Sequence, residues 1–182
     1  MKDKSLLTES VLKSIVFGAN DGIVTTFAVV AGVVGAHLST QIVLIMGISN
    51  MVADGISMGL GDFLGERSAV RFRLNRHIPN FETNNQIWVS SLFTFLAFVL
   101  AGTLPLVPYL LELAGLVFAN HFFFSILATA LSLFFVGSLR TIIIKGHWWY
   151  NGLEMLVVGS LAAVAAYVIG ALVGGLTPAS LK

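Results

Sequence analysis

The stretch Ser14–Ala36, SIVFGANDGIVTTFAVVAGVVGA, decides how this chain folds. It is apolar apart from Asn20-Asp21 and scattered small hydroxyls, and in a water-soluble protein Asn-Asp-Gly would read as a turn. Length argues otherwise. Ile23–Ala36 alone would make a helix of about 21 Å at ~1.5 Å per residue, too short for a hydrocarbon core ~30 Å thick. If this segment crosses a membrane, Asp21 lies inside it.

Composition requires the membrane. Of 182 residues, 57% are hydrophobic and 10% charged, with a mean hydropathy of +0.91. Soluble domains sit near ~45–50% apolar and ~25% charged, and a soluble fold of this size would leave too much apolar surface wet. The same figures exclude disorder, and the lack of cysteine excludes a disulfide scaffold and thiolate metal sites. The net charge is +1, and no basic stretch is interleaved with aromatics, so no nucleic-acid partner is expected. There is room for one domain and none for a separate catalytic module. Neither a nucleophile–base pair nor a phosphate loop occurs, so the chain does not read as an enzyme.

Five stretches are long enough to span: approximately 14–36, 42–64, 86–111, 117–139 and 152–176. The expected fold is all-α, a single membrane domain over 1–182. The short connection His37–Gln41 predicts a tight antiparallel hairpin of the first two spans. Pro105 and Pro108 are expected to end the third, and Glu66–Asn85 reads as a polar linker. With five spans, Lys2, Lys4, Lys13, Arg67, Arg71, Arg73, Arg76, Arg140 and Lys145 share one side, leaving Lys182 on the other. That bias puts the N-terminus in the cytoplasm and the C-terminus outside. Trp88, Tyr109 and the run His147–Tyr150 are expected at the interfaces as an aromatic belt, and His121 reads as an interfacial histidine opening the fourth span.

The second span repeats the argument made for Asp21, because Ile42–Ala53 is too short without Asp54. Two acids inside spans cost roughly 2.5–3.5 kcal/mol each at mid-helix, and such residues mark ion or proton paths. Folding the hairpin about residues 38–39 sets Asp21 level with the turn Asp54–Met58. Asn50, Asp54, Met58 and Asp62 recur every four residues and form one slowly drifting stripe. Carboxylate and amide oxygens suit Mg, Mn and Fe(II), and a thioether favours the softer first-row metals. The candidate metal ligands are therefore Asp21, Met58, Asp54 and Asn50. A carboxyl taken out of water holds a proton until a cation displaces it, which makes Asp21 and Asp54 candidates for proton coupling. Asp62 and Glu66 lie towards the cytoplasmic mouth as entrance residues, and Glu154, a turn into the last span, is a candidate relay. Gly18-x-x-x-Gly22 and Gly55-x-x-x-Gly59 are small-residue pairs suited to close helix packing.

Phe17–Gly32, FGANDGIVTTFAVVAG, resembles the first span of the vacuolar iron transporter family. Asn50–Gly61, NMVADGISMGLG, is similar to that family's second-span signature, and Gly152–Gly159, GLEMLVVG, resembles the start of its last span. The resemblance implies a homodimer with the metal path between protomers, and export of Fe2+, often with Mn2+ tolerated, in exchange for protons. On that pattern Asp21 and Met58 match the family's intramembrane path residues. Two departures stand out. The family's glutamate-rich cytoplasmic domain between spans two and three is missing, since the linker holds only Glu66 and Glu82 as acids. Asn50 stands where family members often carry glutamate, with Asp54 one turn later.

The expectation is thus a membrane transporter exporting Fe2+, with Mn2+ tolerated, from the cytoplasm against protons, with no permanently bound cofactor. Its partners would be the lipid bilayer, the metal ion and a second copy of itself. Compact loops and the lack of an added targeting tail favour a bacterial inner membrane. The alternative is a non-transporting membrane subunit or assembly partner that keeps the fold.

Overall fold

The structure is a computed structural model and describes residues 2–77, 84–116, 120–142 and 146–176, with side chains from residue 10 onward. All regular elements among them are helical: α1 (Lys2–Gly35), α2 (Thr40–Asn75), α3 (Asn84–Gly102), α4 (Val107–Leu113), α5 (His121–Leu139) and α6 (Trp148–Leu176). Short 3-10 turns, Leu104–Leu106 and Arg140–Ile142, follow α3 and α5. Five segments are long and apolar enough to cross a membrane, with α3 and α4 together making the third. The Asn-Asp-Gly triplet lies within α1, as its length demanded.

The expected boundaries change in three places. First, α2 has 36 residues, about 54 Å of helix, so it outruns a ~30 Å core by several turns. Glu66–Asn75 is therefore helix rather than linker; Glu, Arg, Ala and Leu are strong helix formers, and charge alone had suggested a loop. Second, the prolines redirect the third span instead of ending it. Pro105 and Pro108 sit in the first positions of the 3-10 turn and of α4, where a missing N–H costs nothing. The buried Ser125 hydroxyl donates to the Pro105 carbonyl at 2.6 Å and ties this bend to α5. Third, Tyr109 is 3% exposed and belongs to the core, whereas Trp88, Trp148, Trp149 and Tyr150 are exposed as a belt requires. Residues 117–119 at the expected start of the fourth span, the linker stretch with Glu82, and Lys145 and Lys182 lie outside the described residues.

The hairpin is also looser than its short connection suggested. α1 and α2 meet through Val30, Val33, Val43 and Leu44, away from the basic end, in a core completed by Phe27, Leu106 and Tyr109. Towards the basic end both helices turn their glycines to α3 instead. Gly18 and Gly22 of α1 lie against the backbone of Thr94 and Phe98, while Gly55 and Gly59 of α2 pack on Phe95. Ser14 and Ser90 share a buried hydroxyl contact of 2.6 Å across the α1–α3 seam. On its other side α1 presses on α6, where Gly35 meets Tyr167 and Gly170 meets Gly32. Phe27, Phe122 and Tyr167 stack across α1, α5 and α6 with centroids 6.2 and 6.1 Å apart.

The end of α1 carries a local strain. His37 has φ +58°, with its N–H on the Val34 carbonyl at 3.0 Å and the Leu38 N–H on Val33 at 3.2 Å. This is a left-handed helix stop closed by Leu38 packing on the core, the position glycine usually fills. Gly115, at φ +87°, closes α4 the same way, with Leu116 N–H on Leu111 at 3.0 Å. A side chain in this conformation costs roughly 1–2 kcal/mol, more if β-branched. Thermal unfolding in detergent should therefore rank His37→Gly as stable as the parent or more so, and His37→Val about 1 kcal/mol below it.

Candidate metal path

α1 carries Asp21 unbroken through the membrane, with the Thr25 hydroxyl donating to the Asp21 main-chain carbonyl at 2.8 Å. The next residue, Gly22, is locked on Phe98, which fixes the face Asp21 presents. Asp21 is half-buried, and none of the described side chains donates a hydrogen bond to its carboxylate. Its charged neighbour is Asp54 of α2, within electrostatic reach. Asp54 accepts from the Asn50 amide, Nδ2 to Oδ2 at 2.6 Å. Two acids and a carboxamide are thus gathered between α1 and α2, with one acid satisfied and the other not.

The other expected residues divide. Asn50, Asp54, Met58, Asp62 and Glu66 are all half-buried along α2. A step of four residues advances about 40° around a helix, so the row rotates as it descends. Met58 follows Asp54 by one turn on the same half-buried row. By Asp62 the row has turned to α3, where the Thr94 hydroxyl donates to its Oδ2 at 3.0 Å. Glu154 is exposed and accepts from Arg140 Nη1 at 3.2 Å. With Lys13, Asn20 and Met155 that pair lines a cleft of about 410 Å³ at the basic end, reaching Asn20 rather than the Asp21–Asp54 face. Among the described residues no three histidines, aspartates or glutamates converge as a metal cage.

One feature of α2 escaped the sequence reading. Ser49, Ala53, Ser57, Gly61 and Gly65 form a second row at four-residue spacing, and every one is exposed. A Cβ added at Gly61 or Gly65 would meet nothing within 4 Å. The signal is present in the sequence as an unbroken small-residue repeat next to the polar row.

A sequence profile of the VIT family matches residues 12–76 and 68–171. The chain belongs to the VIT family. The two matched pieces meet at the end of α2, the site of the expected missing domain. "Vacuolar iron transporter 1" of Tulipa gesneriana is 23% identical over 224 aligned positions, covering 92% of this chain and 89% of the relative. That alignment is longer than the present VIT chain, so the relative carries residues with no counterpart here. "Vacuolar iron transporter cccA" of Arthroderma benhamiae is 25% identical over 224 positions, with 87% and 78% covered. "Vacuolar iron transporter" of Toxoplasma gondii is 57% identical over 53 residues, 29% of this chain. The VIT chain spans only 18% of the length of that relative in the matched region.

Proposed function

We propose that this VIT-family chain carries Fe2+, with Mn2+ tolerated, out of the cytoplasm in exchange for protons, as a homodimer and without enzymatic activity or a resident cofactor. The observation that carries the reading is the Asp21–Asp54 pair. Two carboxylates within electrostatic reach inside membrane spans are mutually repulsive. A divalent cation relieves that repulsion, and so does a proton, so the two compete for the same oxygens. Met58 adds a thioether one turn below, and Asn50 orients Asp54 through its amide. Asp62 and Glu66 would draw cations towards this level from the basic end, and Glu154 would act at most through the neighbouring cleft. The names of the relatives, which specify iron transport, support the cargo.

The basic end faces the cytoplasm in this reading, on the Lys/Arg rule. Those relatives are named vacuolar; we place the present chain in a bacterial inner membrane on its compact connections. The test is Fe2+ and Mn2+ flux into proteoliposomes with an acidic interior, which should exceed flux without a gradient and fall when an ionophore collapses it. A folded protein with no flux for either metal would favour the non-transporting subunit, a reading to which the Asn50–Asp54 bond, one acid already satisfied, lends support.

The dimer part of this reading is supported by chemistry that one protomer leaves incomplete. The polar row of α2 is flanked by the exposed row Ser49, Ala53, Ser57, Gly61 and Gly65, which lets another helix approach closely. A second copy seated there would bring its own acids near the first set. Gly61→Leu should convert the dimer to monomer in detergent, read by light scattering or cross-linking, with helix content unchanged. A dimer undisturbed by that substitution would remove α2 from the interface.

A further inference from the structure

At the end of the bundle opposite the basic loops, three side chains with metal-binding chemistry meet, and the path above uses none of them. Glu112 lies in the last turn of α4 and His121 begins α5. The His121 Nε2 and Glu112 Oε2 atoms face each other at 3.5 Å. Tyr109, one turn before Glu112, places its ring 6.0 Å from the His121 ring. Its hydroxyl is buried with no hydrogen-bond partner, in a side chain only 3% exposed, and Glu112 Oε2 is likewise buried without a hydrogen bond. His121 and Glu112 retain 18% and 34% side-chain exposure, while the two facing atoms, Nε2 and Oε2, are themselves buried.

We propose that Glu112 and His121, with the Tyr109 hydroxyl beside them, form a second divalent-cation site, separate from Asp21 and Asp54 and at the far end of the protein. The 3.5 Å gap is long for a hydrogen bond of this type, but it fits two ligands of one ion. At metal–ligand bonds of about 2.0–2.2 Å, neighbouring ligands in a tetrahedron stand roughly 3.3–3.6 Å apart. A carboxylate with an imidazole selects a borderline first-row divalent metal, and water completes the shell. The bound ion would also satisfy Glu112 Oε2, and its water could reach the phenol, removing two buried polar atoms that otherwise cost free energy. Because α4 and α5 are joined by a connection at this end, the ion would clamp the two helices.

The site stands independently of transport, so binding is the readout. Purified protein in detergent would be titrated with Mn2+ alone, and with Cu2+ as a paramagnetic reporter of nitrogen ligands. Wild type should bind at least one more ion than His121→Gln, and imidazole couplings in the paramagnetic spectrum should vanish in His121→Gln but persist in Asp21→Asn. Glu112→Gln should lose the same ion, and Tyr109→Phe should weaken it by a few-fold while leaving the imidazole signal. A His121→Gln protein that is folded by circular dichroism and keeps the wild-type stoichiometry would overturn the site. So would wild type without an imidazole signal, which would leave His121 and Glu112 as an ion pair alone. Should Glu112→Gln fail to fold, His121→Gln and Tyr109→Phe still decide the question.

Discussion

Replacing Asp21 by Asn should abolish gradient-driven metal flux while leaving the fold intact. The substitution keeps the shape of the side chain and its place on α1, so Gly22 still seats on Phe98 and the Thr25 bond to the main chain survives. It removes the negative charge and the exchangeable proton together. If Asp21 is where cation and proton compete, neither half of the exchange can run. Flux should fall at least tenfold, equivalent to about 1.4 kcal/mol, and the figure is a floor for losing a charged ligand. Asp54→Asn should cost less, because Asp54 is already held by Asn50 at 2.6 Å and sits in the same polar row as Met58. The direction of the pH dependence is fixed by the exchange: acidifying the compartment that receives metal should speed wild type and leave Asp21→Asn unchanged. Flux in Asp21→Asn that still follows the gradient would take Asp21 off the proton path. Metal binding at the far end should survive the same substitution, so the two proposals fail separately.

The sequence made the spans legible because the membrane imposes a length. Asp21 could be placed inside a helix before any coordinates, since Ile23–Ala36 cannot cross alone, and the same reasoning placed Asp54. What length cannot say is which helix a face touches. Gly18 and Gly22 announced a close approach, yet nothing in their spacing named α3 as the partner rather than α2. Hydropathy misread Glu66–Asn75, where the charges mark exposure and the helix simply continues into water. Tyrosine is amphipathic, which favours the interface for Tyr109; the bend at Pro105 and Pro108 turns it inward to pack with Leu106 and Val43. That bend also brings Tyr109 alongside His121, a meeting between α4 and α5 that no spacing within one helix encodes. The exposed small row of α2 was readable, but a small residue looks the same whether its partner is in the same chain or another.

Gly22→Ala should give a large loss of stability for so small a substitution, against the usual sign. At an exposed helix position, Gly→Ala gains about 1 kcal/mol of helix propensity. Gly65 is such a site within one protomer, with nothing within 4 Å of an added Cβ, and Gly65→Ala, which keeps a small residue in the exposed row, should be stabilising or neutral. At Gly22 the added methyl falls on the Phe98 carbonyl, part of the α3 backbone, which cannot swing away as a side chain would. The seam is tight from both sides, because a Cβ on Gly102 of α3 would meet the Thr26 hydroxyl at 2.9 Å and the Gly22 carbonyl at 3.0 Å. Retreat is blocked as well. α1 is held on its other flank by α6, where Gly35 lies on the Tyr167 backbone and Gly32 on Gly170. Overpacking of this kind costs ~1–3 kcal/mol or somewhat more, and with no direction of relief the upper end is expected. Movement that relieves it shifts α1 against α3, on which α2 also packs, and so disturbs the setting of Asp21 against Asp54. Gly22→Ala should therefore lower the unfolding midpoint in detergent and reduce metal flux in whatever fraction stays folded. A Gly22→Ala protein as stable as Gly65→Ala would mean that α1 and α3 do not meet along glycine, and that some other contact sets the depth and direction of Asp21.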